Sequence, residues 1–190
     1  MKSIHIKKLI LSAMFLALGI VLPFLTGQIQ IIGNMLLPMH IPVMLCGLIC
    51  GWQYGIVVGF ITPLLRSAMF TMPVMFPGAI AMAFELATYA GVVGYLYSHA
   101  RWQCVKMLYR CMIVAMLVGR IVWGIAMAIL LSRTLTGFSV YAFISGAFIN
   151  AIPGIILQLI VIPAVMVALN KTKLVPFRKH NSMHKKKTAH

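Results

Sequence analysis

Residues 79–91 read AIAMAFELATYAG, and Glu85 in the middle of this run is the only acidic side chain in 190 residues. Its neighbours are apolar or small, so the carboxylate is set for burial. A medium that admits one carboxylate and almost nothing else polar is hydrocarbon. The rest of the chain has the same character: 62% of its residues are hydrophobic, only 9% are charged, and the mean hydropathy is +1.02. Soluble globular domains lie outside that range. Backbone groups in lipid must be satisfied within their own segment, so apolar runs of spanning length are helices. The sequence therefore predicts an all-α integral membrane protein.

Runs near the ~20 residues needed to cross a bilayer cover Leu9–Leu25, Asn34–Cys50, Tyr54–Phe70, Phe76–Tyr97, Met107–Leu131 and Gly146–Asn170. The predicted architecture is one membrane domain of six transmembrane helices over residues 1–170, followed by a basic cytoplasmic tail over 171–190, expected to be disordered. Lys2, Lys7 and Lys8 before the first run imitate a signal peptide. No clear small-residue cleavage site follows, and five more runs do, so the first run is read as a retained helix.

The net charge of +15 is a statement about topology. Basic residues gather at the N-terminus (Lys2, Lys7, Lys8), between the fourth and fifth runs (Arg101, Lys106, Arg110) and beyond the sixth (Lys171, Lys173, Arg178, Lys179, Lys185, Lys186, Lys187). With six spans these thirteen of the sixteen basic residues fall on one side, which makes both termini cytoplasmic. Arg66 and Arg133 stand near helix ends on the opposite side, and Arg120 lies inside the fifth run. Nucleic-acid binding is not expected, because no soluble domain is left to carry it. The tail RKHNSMHKKKTAH reads as an anchor against anionic headgroups rather than a metal site.

Catalytic signatures are missing. No GxxxxGK[ST] phosphate loop and no HExxH occur. No histidine or cysteine nucleophile can have a carboxylate orienter other than Glu85, and His99 falls in a loop, so no enzyme, catalytic residue or cofactor is predicted. Cys46 and Cys50, and Cys104 and Cys111, sit toward the cytoplasmic side as free thiols, and no metal is expected there.

The first helix contains LSAMFLALGIVLPF, with Ala13 and Ala17 as an AxxxA pair on one face. It is followed, over Met35–Tyr97, by MLLPMHIPVMLCGLICGWQYGIVVGFITPLLRSAMFTMPVMFPGAIAMAFELATYAGVVGYLY. Together with the six-run, N-in plan, these stretches resemble the substrate-binding S component of an energy-coupling factor (ECF) vitamin transporter. The resemblance implies a multi-pass protein of the bacterial plasma membrane that captures a small water-soluble vitamin or precursor from outside. It also implies partners, a transmembrane coupling subunit and two ATPase subunits, which explains the missing phosphate loop. Ala13 and Ala17 then match the coupling-subunit contact, since alanines let a second backbone approach closely. Ordinary packing within the chain is the other use for that pair. Gly47/Gly51 and Gly55/Gly59 repeat the four-residue spacing and are read mostly as internal packing of the second and third helices.

Nine residues into its run, Glu85 lies about 13 Å deep, near the bilayer midplane. It needs a partner, and Arg66 and Arg120 are the candidate cations. Tyr89 is one turn away on nearly the same face. Trp123, one turn from Arg120, suits stacking on a flat ring. Asn34 and His40 bracket the first outer loop and the start of the second helix, Tyr141 precedes the sixth, and Asn150 opens it, with Gln158 two turns deeper. The candidate substrate-binding set is Glu85, Arg120, Trp123, Asn150, Arg66, Tyr89, His40, Asn34 and Tyr141. The resemblance implies a site built from the first outer loop and the outer halves of helices four to six, in agreement with Glu85, Trp123 and Asn150. Glu85 either meets the ligand or only neutralises an arginine. The vitamin stays open between a carboxylate such as pantothenate or nicotinate, favoured by two arginines against one acid at membrane depth, and a cationic ring such as a thiamine precursor or a pyridoxine-like amine. The competing function is a stand-alone proton-coupled transporter or channel using Glu85.

Overall fold

The computed structural model describes residues 2–26, 38–132 and 152–172. Among them the chain is helical, with no strand. The helices are α1 (Lys2–Val21), α2 (His40–Ile49), α3 (Trp52–Phe70), α4 (Ile80–His99), α5 (Val105–Ser132) and α6 (Ile152–Lys171). Four stretches are long and apolar enough to cross a membrane: His5–Phe24, Met75–His99, Val105–Ser132 and Ile152–Lys171. The helix α2 has only 10 residues, about 15 Å of rise, and the residues expected to extend it at its N-terminal end, 34–37, lie outside the described set. Helix α3, with Pro63 and Arg66 inside it, is the least lipid-like of the long helices.

What faces outward shows the solvent. On α5, Ile113, Leu117, Ile121, Ile125 and Ile129 recur every four residues and all are exposed. On α6, Ile152, Ile156 and Ile160 do the same. Apolar stripes of this length on a water-soluble surface would be an aggregation hazard, whereas in hydrocarbon they cost nothing. The inward stripes mix large apolar residues with small or polar ones: Gly154, Gln158, Ile162 and Met166 on α6, and Leu108, Met112, Ala115, Gly119 and Arg120 on α5.

Helix α4 is the centre of the bundle, packed against α2, α3 and α5, while α1 rests on α2 and α3, and α6 rests on α2 and α5. Glycines make that arrangement possible. A Cβ on Gly47 would strike the Ala90 carbonyl, one on Gly55 would stand 2.6 Å from Gly47 Cα, and one on Gly59 would stand 2.7 Å from the Leu86 backbone. The predicted internal role of Gly47, Gly55 and Gly59 is thus met by backbone-to-backbone contact among α2, α3 and α4. Gly51 serves differently, turning the chain between α2 and α3 with φ 108°, a conformation L side chains rarely adopt.

Gly47→Ala should lower the stability of the detergent-solubilised protein by about 1–3 kcal/mol, because the obstacle is backbone and cannot rotate away. Gly78→Ala, where an added Cβ meets nothing within 4 Å, should leave the melting temperature unchanged. Thermal unfolding of the two variants beside the parent checks both.

Candidate functional site

A polar cluster sits where α2, α4 and α5 meet. Helix α4 supplies Glu85 and Tyr89 four residues apart on its buried face, α5 supplies Arg120, and α2 supplies His40 in its first turn. Glu85 is 1% exposed, Tyr89 2%, His40 0% and Arg120 5%. One carboxylate oxygen, Oε1, gathers the contacts: Arg120 Nη1 donates to it at 3.0 Å, Tyr89 Oη donates at 3.0 Å, and His40 Nε2 lies 3.9 Å away. The His40 and Tyr89 rings are 5.3 Å apart, centroid to centroid.

Tyr89 is held by what is missing opposite it. A Cβ on Gly119 would collide with the Tyr89 ring, so the phenol fits only because α5 carries no side chain at that point. This packing aims the hydroxyl along α4 at Glu85. The glycine immediately before Arg120 thereby serves the same cluster as the arginine, a role that hydropathy and spacing do not reveal. The GR pair at 119–120 is its only sequence trace.

Polar atoms in and beyond this cluster are left without partners. Among the described residues, Nε and Nη2 of Arg120, both ring nitrogens of His40, and Nε2 of Gln158 are buried without a hydrogen-bond partner. Gln158 is 1% exposed on α6, the helix that packs against α2 and α5. Native interiors leave few such groups.

The structure unites four of the predicted site residues, Glu85, Arg120, Tyr89 and His40. Trp123 stands half-buried three residues beyond Arg120 on α5. Arg66 goes elsewhere: it is buried, its Nη1 donates to the Ile20 carbonyl at 2.7 Å, and its guanidinium lies 5.5 Å from the Phe24 ring and 5.8 Å from the Phe70 ring. That contact ties α3 to the end of α1. Asn34, Tyr141 and Asn150 lie outside the described residues. Ala13 and Ala17 are both exposed, on the side of α1 opposite the buried Ser12, Phe15 and Gly19. Ala13 borders an apolar groove of about 440 Å³ shared with α3, whose walls include Leu9, Leu16, Tyr54, Val57 and Ile61. Of the cysteines, Cys46, Cys50 and Cys111 are buried and Cys104 is exposed, and all four are free thiols. Cys46 contacts Ser12 Oγ at 3.7 Å.

Lipid-facing apolar stripes around a buried ionic cluster define a polytopic membrane protein with a polar interior. The family model for the ECF transporter substrate-specific component matches residues 7–166, and the chain belongs to that family, whose members are transporter subunits. No curated protein and no solved structure gives a match.

Removing Arg120 leaves Glu85 buried with its charge unbalanced. Arg120→Gln should cost about 3–5 kcal/mol of stability. The double variant Glu85→Gln/Arg120→Gln should recover most of that loss, since neither charge is then stranded. Detergent melting curves of the three proteins, treated as a double-mutant cycle, read the coupling directly.

Proposed function

We propose that this chain is the capture subunit of an ATP-driven importer. It binds a small water-soluble vitamin or vitamin precursor from outside and delivers it through a transmembrane coupling subunit powered by two ATPase subunits. The observation that carries the proposal is the buried cluster of Glu85, Arg120, Tyr89 and His40, with donors left over after the internal contacts are made. A cluster built only to neutralise itself would need one carboxylate and one cation, not a surplus of donors inside an apolar bundle. Family membership supplies the transport context and the reason for partner subunits.

In this reading all six apolar runs cross the membrane and both termini are cytoplasmic, in the plasma membrane of a bacterium. His40, Glu85, Tyr89 and Arg120 form the polar floor of the ligand site. Trp123 offers a ring face, and Asn34, Tyr141 and Asn150 complete the site from the outer side. The exposed Ala13/Ala17 face of α1, beside the groove against α3, takes the coupling subunit, because small residues let a helix come close enough for dispersion to hold it.

Two measurements test this. Ala13→Leu/Ala17→Leu should abolish uptake in cells that contain the coupling and ATPase subunits while leaving ligand affinity of the purified protein within about twofold, since bulk on that exposed face blocks only a partner helix. Equal loss of affinity and uptake would return the alanines to internal packing. Expressed in a host without those partners, the chain should accumulate no vitamin. Robust accumulation driven by a proton gradient alone would make it a self-sufficient secondary transporter instead.

A further inference from the structure

The leftover nitrogens of Arg120 have a definite sense, and it bears on the chemical class of the ligand. Seven buried side-chain polar atoms lack a partner among the described residues: Nδ1 and Nε2 of His40, Ser67 Oγ, Tyr97 Oη, Nε and Nη2 of Arg120, and Gln158 Nε2. Nε and Nη2 of Arg120 and Nε2 of Gln158 can only donate, whereas the imidazole nitrogens and the two hydroxyls can donate or accept. The sole buried carboxylate is already engaged by Arg120 and Tyr89. A cationic ligand would bring more donors up to the two donor nitrogens that Arg120 has left.

Arg120 makes the requirement sharper. Its Nη1 is used by Glu85 at 3.0 Å, and the two nitrogens that remain are Nε and Nη2. These two form one edge of the planar guanidinium and direct two parallel N–H bonds outward at the spacing of carboxylate oxygens. We propose that the ligand of this site carries a carboxylate, received side-on by Nε and Nη2 of Arg120 while Nη1 stays on Glu85. This assignment rests on the capture reading above and narrows it.

The charge balance involves a third group. Glu85 and Arg120 cancel, so a second carboxylate beside them needs compensation in a low-dielectric interior. His40 stands next to the pair, with Nε2 3.9 Å from Glu85 Oε1 and both nitrogens otherwise unpartnered. Its imidazole compensates by hydrogen bonding, at least one ring nitrogen carrying an N–H.

The test uses matched pairs that differ only at the acid. The purified full-length protein in detergent is titrated with nicotinate and nicotinamide, pantothenate and its alcohol, biotin and biotinamide, and lipoate and lipoamide. Thiamine and pyridoxamine serve as cationic probes. At least one acid should bind, and its neutral counterpart should bind roughly tenfold or more weakly, the scale of losing hydrogen bonds to a charged group. Arg120→Lys keeps a cation for Glu85 but lacks the two-nitrogen edge. It should fold, as judged by a melting temperature near the parent's, and lose most of the preference for acid over neutral partner. Equal affinity within every pair, or binding of a cationic probe alone, would overturn the carboxylate assignment and leave the capture reading standing. Retention of the full acid preference by a folded Arg120→Lys protein would also overturn it. Binding of no probe would count against the capture reading itself, and the assignment would fall with it.

Discussion

Lipid gives helices no hydrophobic reason to come together, because an apolar side chain is as well solvated by acyl chains as by another helix. The bundle therefore depends on how closely backbones can approach, and the critical approach is at Gly47, Gly55 and Gly59. Gly94 contributes from the α4 side, where a Cβ would stand 2.5 Å from the Gly47 carbonyl oxygen. These residues seat the short helix α2 and the long helix α3 directly on α4. The seating has a chemical result. It sinks His40, at the start of α2, to full burial beside a carboxylate on α4.

The ion pair of Glu85 and Arg120 is a second constraint, resting on the first. A buried pair of this kind contributes little net stability, since the desolvation of both charges offsets most of their attraction. Its effect is on position: neither charge can be stranded, so α4 and α5 are held in the one register that brings Nη1 to Oε1. Tyr89 reinforces that register through its own bond to Oε1 and its ring against Gly119. The same contacts fix the orientation of the guanidinium, and with it the direction of its two remaining nitrogens.

Much of this is legible in the sequence because hydrocarbon is such a restrictive solvent. With one acid in the chain and two arginines at membrane depth, the ion pair has only two candidate forms, and the proximity of Tyr89 follows from helical spacing alone. The role of Gly47, Gly55 and Gly59 is visible in the four-residue repeat. Arg66 marks where such legibility stops. Its partner is the Ile20 carbonyl, and every residue has a carbonyl, so nothing in the order of side chains marks that one. His40 is visible as a residue near the N-terminal end of α2, but its burial against Glu85 follows from how α2 crosses α4. Helix crossings are set by backbone contacts, not by the hydropathy of a single run. The match between Tyr89 and Gly119 is hidden for the same reason: it is a complementarity of shape between two helices, each ordinary alone.

That match restricts how such a protein can change. Position 119 accepts only a hydrogen so long as 89 carries a ring, and the ring is what presents the hydroxyl to Glu85. One wall of the polar cluster is thus locked, since any single enlargement at 119 displaces the tyrosine and loosens the acid together with its arginine. Change is left to the rest of the cluster, such as His40 on α2, outside that lock. The inherited geometry of α4 against α5 then acts as a fixed chassis, and diversification is channelled toward α2.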